Sequence, residues 1–146
     1  MSGEAVLWKI SLTVLSETAE QLFHSTTFFF QHRANKIQIN YKNTYKQTIF
    51  DDIPINNHLH LYRILQELIN NSIRHGNARK IDIQFSVEDG KRICEYTDDG
   101  KGYDIKDTKN QRGLGIKNIE SRTSLLKGDL KIESAINRGV RVILNF

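Results

Sequence analysis

Between Leu61 and His75, apolar residues stand at positions 61, 62, 64, 65, 68, 69 and 73. That spacing predicts an amphipathic helix with one broad buried face. Glu67, Asn71, Arg74 and His75 are spaced i, i+4, i+7 and i+8, so they share a stripe along one edge of that face. A carboxylate, an amide, a guanidinium and an imidazole lined up beside a core is more than stability requires. Asn56-Asn57 offers an N-cap for this helix. Gly76-Asn77 closes it, with the glycine suited to a left-handed residue just past the C-terminus.

The rest of the chain alternates between two periods. Residues Glu4 to His32 carry a mostly helical pattern built on Val6, Leu7, Ile10, Val14, Leu15, Leu22, Phe23, Phe29 and Phe30. Lys36 to Tyr41 alternates as a strand, and a short segment from Gln47 to Phe50 could be its hairpin partner before Pro54 ends the run. Ile81 to Val87 and Arg92 to Thr97 alternate on either side of Asp89-Gly90, which predicts a β-hairpin. Asp98 to Gly115 is rich in turn residues and reads as loop. Ile116 to Leu126 returns to helical spacing. Leu130 to Ser134 and Val140 to Leu144 are strands joined at Asn137-Arg138-Gly139. Helices and mostly antiparallel strands grouped in pairs predict an α+β domain, a two-layer sandwich.

Composition narrows the class without naming the chemistry. At 146 residues, with 38% hydrophobic and 26% charged residues, the chain fits one ordinary globular domain with a substantial core. The formal charge of +4 comes from dispersed Lys and Arg, so it points to no direct nucleic-acid partner and serves a phosphate-bearing small ligand equally well. One cysteine, Cys94, excludes an internal disulfide framework and a multi-cysteine zinc site, and its strand position predicts a core-facing thiol. No apolar run approaches the roughly 20 residues that span a bilayer, and no signal-peptide pattern stands out. The expected location is cytoplasmic.

The glycine-bearing stretches carry the chemistry. Asp98-Asp99-Gly100-Lys101-Gly102 comes directly off a strand end, and Gly113-Leu114-Gly115 opens a helix whose free N–H groups suit phosphate oxygens. Neither matches a dinucleotide fingerprint or a phosphate loop: the third glycine is missing from one, and Gly102 follows Gly100-Lys101 in the other. Asp99 and Lys101 read as surface residues.

Taken in order, these stretches resemble the three boxes of the sensor histidine kinase ATP-binding domain. Glu67-x-x-x-Asn71 with Arg74-His75 resembles the N box, Asp98 to Gly102 the G1 box, and Gly113-Leu114-Gly115-Ile116 the G2 box. The short interval from Gly102 to Gly113, followed by Lys117 to Arg122, is similar to the NarL- and LytS-type kinases with an abbreviated ATP lid. The resemblance runs from about Ile37 to Phe146 and implies a Bergerat-type ATP-binding fold, with a mixed, mostly antiparallel sheet covered by helices on one face. The implied division is an N-terminal helical segment over 1–35, either the end of a dimerisation region or the first helix of the domain, and an ATPase domain over 36–146.

The resemblance also implies roles. Asn71 would be a Mg²⁺ ligand and Glu67 the base that helps the phosphoryl acceptor. Arg74 would contact phosphates and His75 would lie near the nucleotide. Asp98 would accept from the adenine amino group, with Gly100 and Gly102 allowing the base to approach. Gly113, Leu114 and Gly115 would flank the phosphates. The implied cofactors are ATP and Mg²⁺. The implied activity is transfer of the γ-phosphoryl to a histidine on the dimerisation domain of the same protein, ahead of a downstream response regulator. The alternatives are an anti-sigma-type protein-serine kinase and a nucleotide-binding regulatory module without transferase activity. Two departures stand out. Val140 occupies a position where the family often has threonine, and neither His24 nor His32 sits in a phosphoacceptor motif. The acceptor, the sensor and any membrane segments would belong to other parts of the parent protein.

Overall fold

The computed structural model describes residues 37–44, 53–107 and 113–146. The predicted helix over Glu4–His32, the segment over Gln47–Phe50 and the N-terminal segment 1–35 lie outside the described residues. The described elements are β1 (Gln38–Asn43), α1 (Ile55–Arg74), β2 (Lys80–Glu88), β3 (Lys91–Asp98), α2 (Leu114–Leu125), β4 (Asp129–Ser134) and β5 (Val140–Asn145). The strands form one sheet in the order β1-β2-β3-β5-β4. Among the described residues no helix is long and apolar enough to cross a membrane.

Strand parity builds the core. Ile83 stands opposite Tyr96 and Tyr96 opposite Val142; Phe85 stands opposite Cys94 and Cys94 opposite Leu144. All of these are buried, together with Leu61, Tyr62, Ile64, Leu65, Leu68, Ile69 and Ile73 of α1. The predicted apolar arc of α1 is therefore the arc that packs on the sheet. The Cys94 thiol is buried, and burial raises its pKa, so it stays a protonated core group. The opposite parity carries charge. Arg141 pairs with Glu95 at 2.7 Å and Glu133 at 3.3 Å, and Lys131 reaches Glu133 at 2.6 Å. The mixed, mostly antiparallel two-layer α+β fold is as expected.

Among the described residues β1 pairs with β2, in parallel register from Gln38 opposite Lys80 to Asn43 opposite Phe85. The connection passes through α1, as parallel strands require. Two local expectations, one at each end of α1, are corrected. At the start of α1, Asn56 and Asn57 lie inside the first turn and do not cap it. Pro54 is the N-cap residue, and its carbonyl accepts from Asn57 N–H at 2.8 Å. Proline's fixed φ lets the chain enter the helix without a side-chain cap. At the other end Asn77, not Gly76, holds the left-handed conformation at φ +50°. Gly76 is needed for a different reason: a Cβ there would sit 2.8 Å from the Ser72 carbonyl oxygen.

Leu65 is fully buried between α1 and the sheet. Leu65→Ala is expected to cost about 2–5 kcal/mol in urea unfolding. Arg141→Ala, on the solvated face, is expected to leave the unfolding midpoint within experimental error of the parent.

Candidate functional site

Alternation along β3 points Cys94, Tyr96 and Asp98 to the helix-covered side. Asp98 ends a cross-strand row shared with Ile81 and Val140, so its carboxylate lies beside the core. Three donors meet it. Oδ1 accepts from the Gly100 N–H at 2.8 Å and the Val140 N–H at 3.2 Å. Oδ2 accepts from the Ser72 hydroxyl at 2.5 Å. The Ser72 oxygen also lies 2.6 Å from the Tyr96 hydroxyl.

The loop after Asp98 is held from two sides. Lys101 N–H donates to the Gly76 carbonyl at the end of α1 at 2.8 Å, and the Lys101 carbonyl accepts from Asn137 N–H at 2.5 Å. Tyr103 N–H donates to Ser134 Oγ, which itself donates to the Gly139 carbonyl, both at 2.9 Å. Gly139 has φ +70°, and a Cβ there would strike the Asp98 carbonyl oxygen. Asp99, expected at the surface, is exposed yet accepts from the N–H groups of both Arg79 and Lys80 at 2.8 Å. It anchors the entry to β2.

Between α1, this loop and the start of α2 lies a cleft of about 390 Å³. Glu67, Asn71 and His75 line it from α1; Asp98, Lys101, Gly102 and Tyr103 from the loop; Gly113, Leu114 and Gly115 from the start of α2. Val140, Val142 and Ile119 add apolar wall. Gly115 meets α1 so closely that a Cβ would strike Glu67 Oε1 and lie 3.4 Å from Asn71 Nδ2. α2 begins after Gly113 with no side-chain cap; the Ile116 N–H meets the Gly113 carbonyl at 3.2 Å, and the Leu114 and Gly115 N–H groups ahead of it meet no partner among the described residues.

The structure does not bring every expected residue to the cleft wall. Gly100 is buried behind Asp98 and acts through its N–H. Arg74 is not among the lining residues. Each step of four residues turns the α1 stripe roughly 40° toward the cleft, whereas the seven-residue step from Glu67 to Arg74 turns it about 20° away. Ser72, Tyr96, Tyr103 and Lys101 line the cleft without having been singled out as site residues. Two of them had a signal: Tyr96 shares parity with Asp98, and Ser72 is a hydroxyl on the apolar face of α1. Glu67 also borders a smaller polar cavity of about 190 Å³ with Arg63, Gln66, Asn118 and Arg122.

The family model for the histidine kinase-, DNA gyrase B- and HSP90-like ATPases matches residues 56–146, more than half of the chain. The chain belongs to this ATPase family. Within it, the chain is similar to the sensor histidine kinase ComP of Bacillus subtilis, 32% identical over 90 residues that cover 61% of this chain and 12% of that protein. It is likewise similar to the sensor protein VraS of Staphylococcus aureus, 32% identical over 83 residues covering 57% and 24%. The match thus spans between an eighth and a quarter of the length of these relatives. Among solved structures, the fold matches the histidine kinase domain of the Erythrobacter litoralis EL346 blue-light activated kinase with a TM-score of 0.67. Identity there is 18%, over 88% of this chain and 63% of that one. The Acinetobacter baumannii histidine kinase AdeS gives 0.64 at 21% identity, over 86% and 62%.

At Gly139 a positive φ and the Asp98 carbonyl both exclude a side chain. Gly139→Ala is expected to destabilise the ATPase domain by more than about 1 kcal/mol. A Cβ at Gly113 meets no atom within 4 Å, so Gly113→Ala is expected to change stability by less than about 1 kcal/mol. Thermal melts of the two variants check the contrast.

Proposed function

We propose that this chain is the catalytic, ATP-binding domain of a two-component sensor histidine kinase. It binds Mg-ATP and passes the γ-phosphoryl to a histidine on a separate dimerisation domain, from which a response regulator is served. The observation that carries this reading is convergence. The three stretches that resemble the kinase boxes lie far apart in the chain and line one cleft. The ComP and VraS similarities support it, and one solved structure of similar fold, ShkA, was obtained in complex with AMPPNP, with a TM-score of 0.63. The domain is proposed to occupy 36–146, with 1–35 leading toward the dimerisation region.

The purine lies against Val140 and Val142, its amino group donating to Asp98. The phosphates run toward the open N–H groups of α2's first turn, where the helix dipole favours negative charge. Gly102 allows close approach at the base end, and Gly113, Leu114 and Gly115 border the phosphate end. His75 and Lys101 flank the cleft. Arg74 is given no contact, since it stands outside the cleft wall.

The donor set suits magnesium held with a nucleotide. Among the described residues no group of three or more His, Cys, Asp or Glu could form a protein cage. Asn71 offers one amide oxygen beside Glu67, and the absence of a Cβ at Gly115 lets the start of α2 close against the Glu67 carboxylate and the Asn71 amide. Phosphate oxygens and water complete such a set for a hard cation. Bound there, Mg²⁺ neutralises charge on the phosphates. Glu67 takes the proton of the incoming acceptor, an effect typically worth about 10²–10⁴ in rate. The smaller cavity gives Glu67 a second open side, by which the acceptor reaches it without crossing the nucleotide.

Saturating Mg-ATP, about 100-fold over its Kd, is expected to stabilise the chain by about 2.7 kcal/mol, raising the melting midpoint by several degrees. Asn71→Ala and Asp98→Asn should abolish the shift. An unshifted parent chain would refute nucleotide binding. Adding the parent protein's dimerisation domain and labelled ATP should then yield an acid-labile phosphoprotein. An acid-stable product would instead favour a serine kinase, and binding without transfer a regulatory module.

A further inference from the structure

Asp98 is a carboxylate whose acceptor sites can be counted. Each carboxylate oxygen offers about two. Oδ1 is filled by the N–H groups of Gly100 and Val140. Oδ2 has one site filled by Ser72 at 2.5 Å, which leaves one site that no described residue fills, on a carboxylate that lines the cleft.

The direction of the hydroxyl bonds follows from the same count. The Ser72 hydroxyl has two acceptor-only neighbours, the Leu68 carbonyl at 3.1 Å and Asp98 Oδ2 at 2.5 Å, and the shorter, charge-assisted contact takes its proton, so Ser72 donates to Asp98. Ser72 then has no proton for Tyr96, and the 2.6 Å contact between their oxygens must be donated by Tyr96. Tyr96 is buried at 1% exposure, and its pKa is raised, first by burial, so it stays a protonated donor. The order Tyr96 to Ser72 to Asp98 is the polarity that leaves Asp98 a pure acceptor. Both hydroxyl residues line the cleft, and both come from rigid elements, α1 and β3.

We propose that Ser72 and Tyr96 are positioning residues that set the base specificity of the cleft, by aiming the one open acceptor site of Asp98 at an exocyclic N–H. The inference rests on the nucleotide-binding reading above and deepens it. A 6-amino purine places a donor opposite that site. A 6-oxo purine places an acceptor there, so two lone pairs face each other and the half-buried carboxylate loses a partner. A site built this way rejects the mismatched base far more strongly than an apolar pocket rejects a change of size. Removing the Ser72 hydroxyl frees a second acceptor site and lets the carboxylate turn, so the distinction weakens even though the apolar walls remain.

The test measures Kd for Mg-ATP and Mg-ITP on the 146-residue chain and on Ser72→Ala and Tyr96→Phe, by melting shift and by titration. The parent chain is expected to prefer ATP by about 10²-fold or more. Ser72→Ala should reduce the ATP-to-ITP ratio by about tenfold. Tyr96→Phe keeps the ring in the core and should reduce the ratio in the same direction by less. A ratio that is unchanged or raised in both variants, with ATP and ITP weakened equally or not at all, would overturn the proposal and leave the hydroxyls a packing role. Failure of the parent chain to bind either nucleotide would overturn the nucleotide reading itself, and this inference with it.

Discussion

A carboxylate at the edge of an apolar core is costly unless its oxygens are met, and much of the local structure is arranged around meeting those of Asp98. The parity of β3 that buries Cys94 and Tyr96 also turns Asp98 inward. Once there, it draws in the Gly100 N–H from its own turn, the Val140 N–H from β5 and the Ser72 hydroxyl from α1. Those three donors come from three separate parts of the chain. Satisfying one side chain therefore fixes where the loop leaves β3, where β5 begins and how α1 lies along the sheet.

The same packing decides where side chains cannot be. The β4–β5 turn closes on β3 so tightly at Gly139 that a Cβ would meet the Asp98 carbonyl. The first turn of α2 closes on α1 at Gly115, where a Cβ would meet Glu67. Gly115 lines the cleft, whereas Gly139 stands behind Asp98, where its closeness sets the backbone around that carboxylate. Close backbone approach matters because N–H and C=O groups can then reach a ligand directly.

Local pattern showed faces and parity, and it showed them well. The run Ile81 to Val87, the turn Asp89-Gly90 and the return Arg92 to Thr97 are a hairpin whose turn residues both have positive φ, as a two-residue loop of this kind requires. The apolar arc of α1 was legible for the same reason. Neighbourhood was not legible. Nothing in residues 36–41 says that β1 will pair with a strand some forty residues on, because that pairing depends on α1 crossing between them. Asp99 looks like any acidic turn residue until the chain entering β2 brings two N–H groups to it. Arg74 shows the converse: a stripe read from spacing alone is wide enough to hold a residue that is not among those lining the cleft. The three glycine and carboxylate boxes were recognisable because their order and separations resemble a known family. The Ser72–Tyr96 contact depends on two elements meeting, which spacing along one chain does not reveal.

Under the proposed reading the two ends of the cleft work by different physics. The base end is set by side chains locked between α1 and the sheet, so its geometry exists before a ligand arrives and little ordering remains to oppose binding. The phosphate end offers open backbone N–H groups, one amide oxygen and one carboxylate, which is too little to hold several negative charges without a cation. Selection of the base and stabilisation of the transferring phosphoryl are therefore assigned to different residues. Changes at Ser72, Tyr96 or Asp98 act on which nucleotide is held. Changes at Asn71 act on how firmly the cation and phosphates are held, and changes at Glu67 on what is done with them. α1 links the two, because Ser72 directly follows Asn71 on the helix: the turn that aims the Asp98 carboxylate is the turn that presents the amide to the phosphates. A shift of α1 along the sheet would disturb both ends at once, which ties the specificity of the site to the packing of its core.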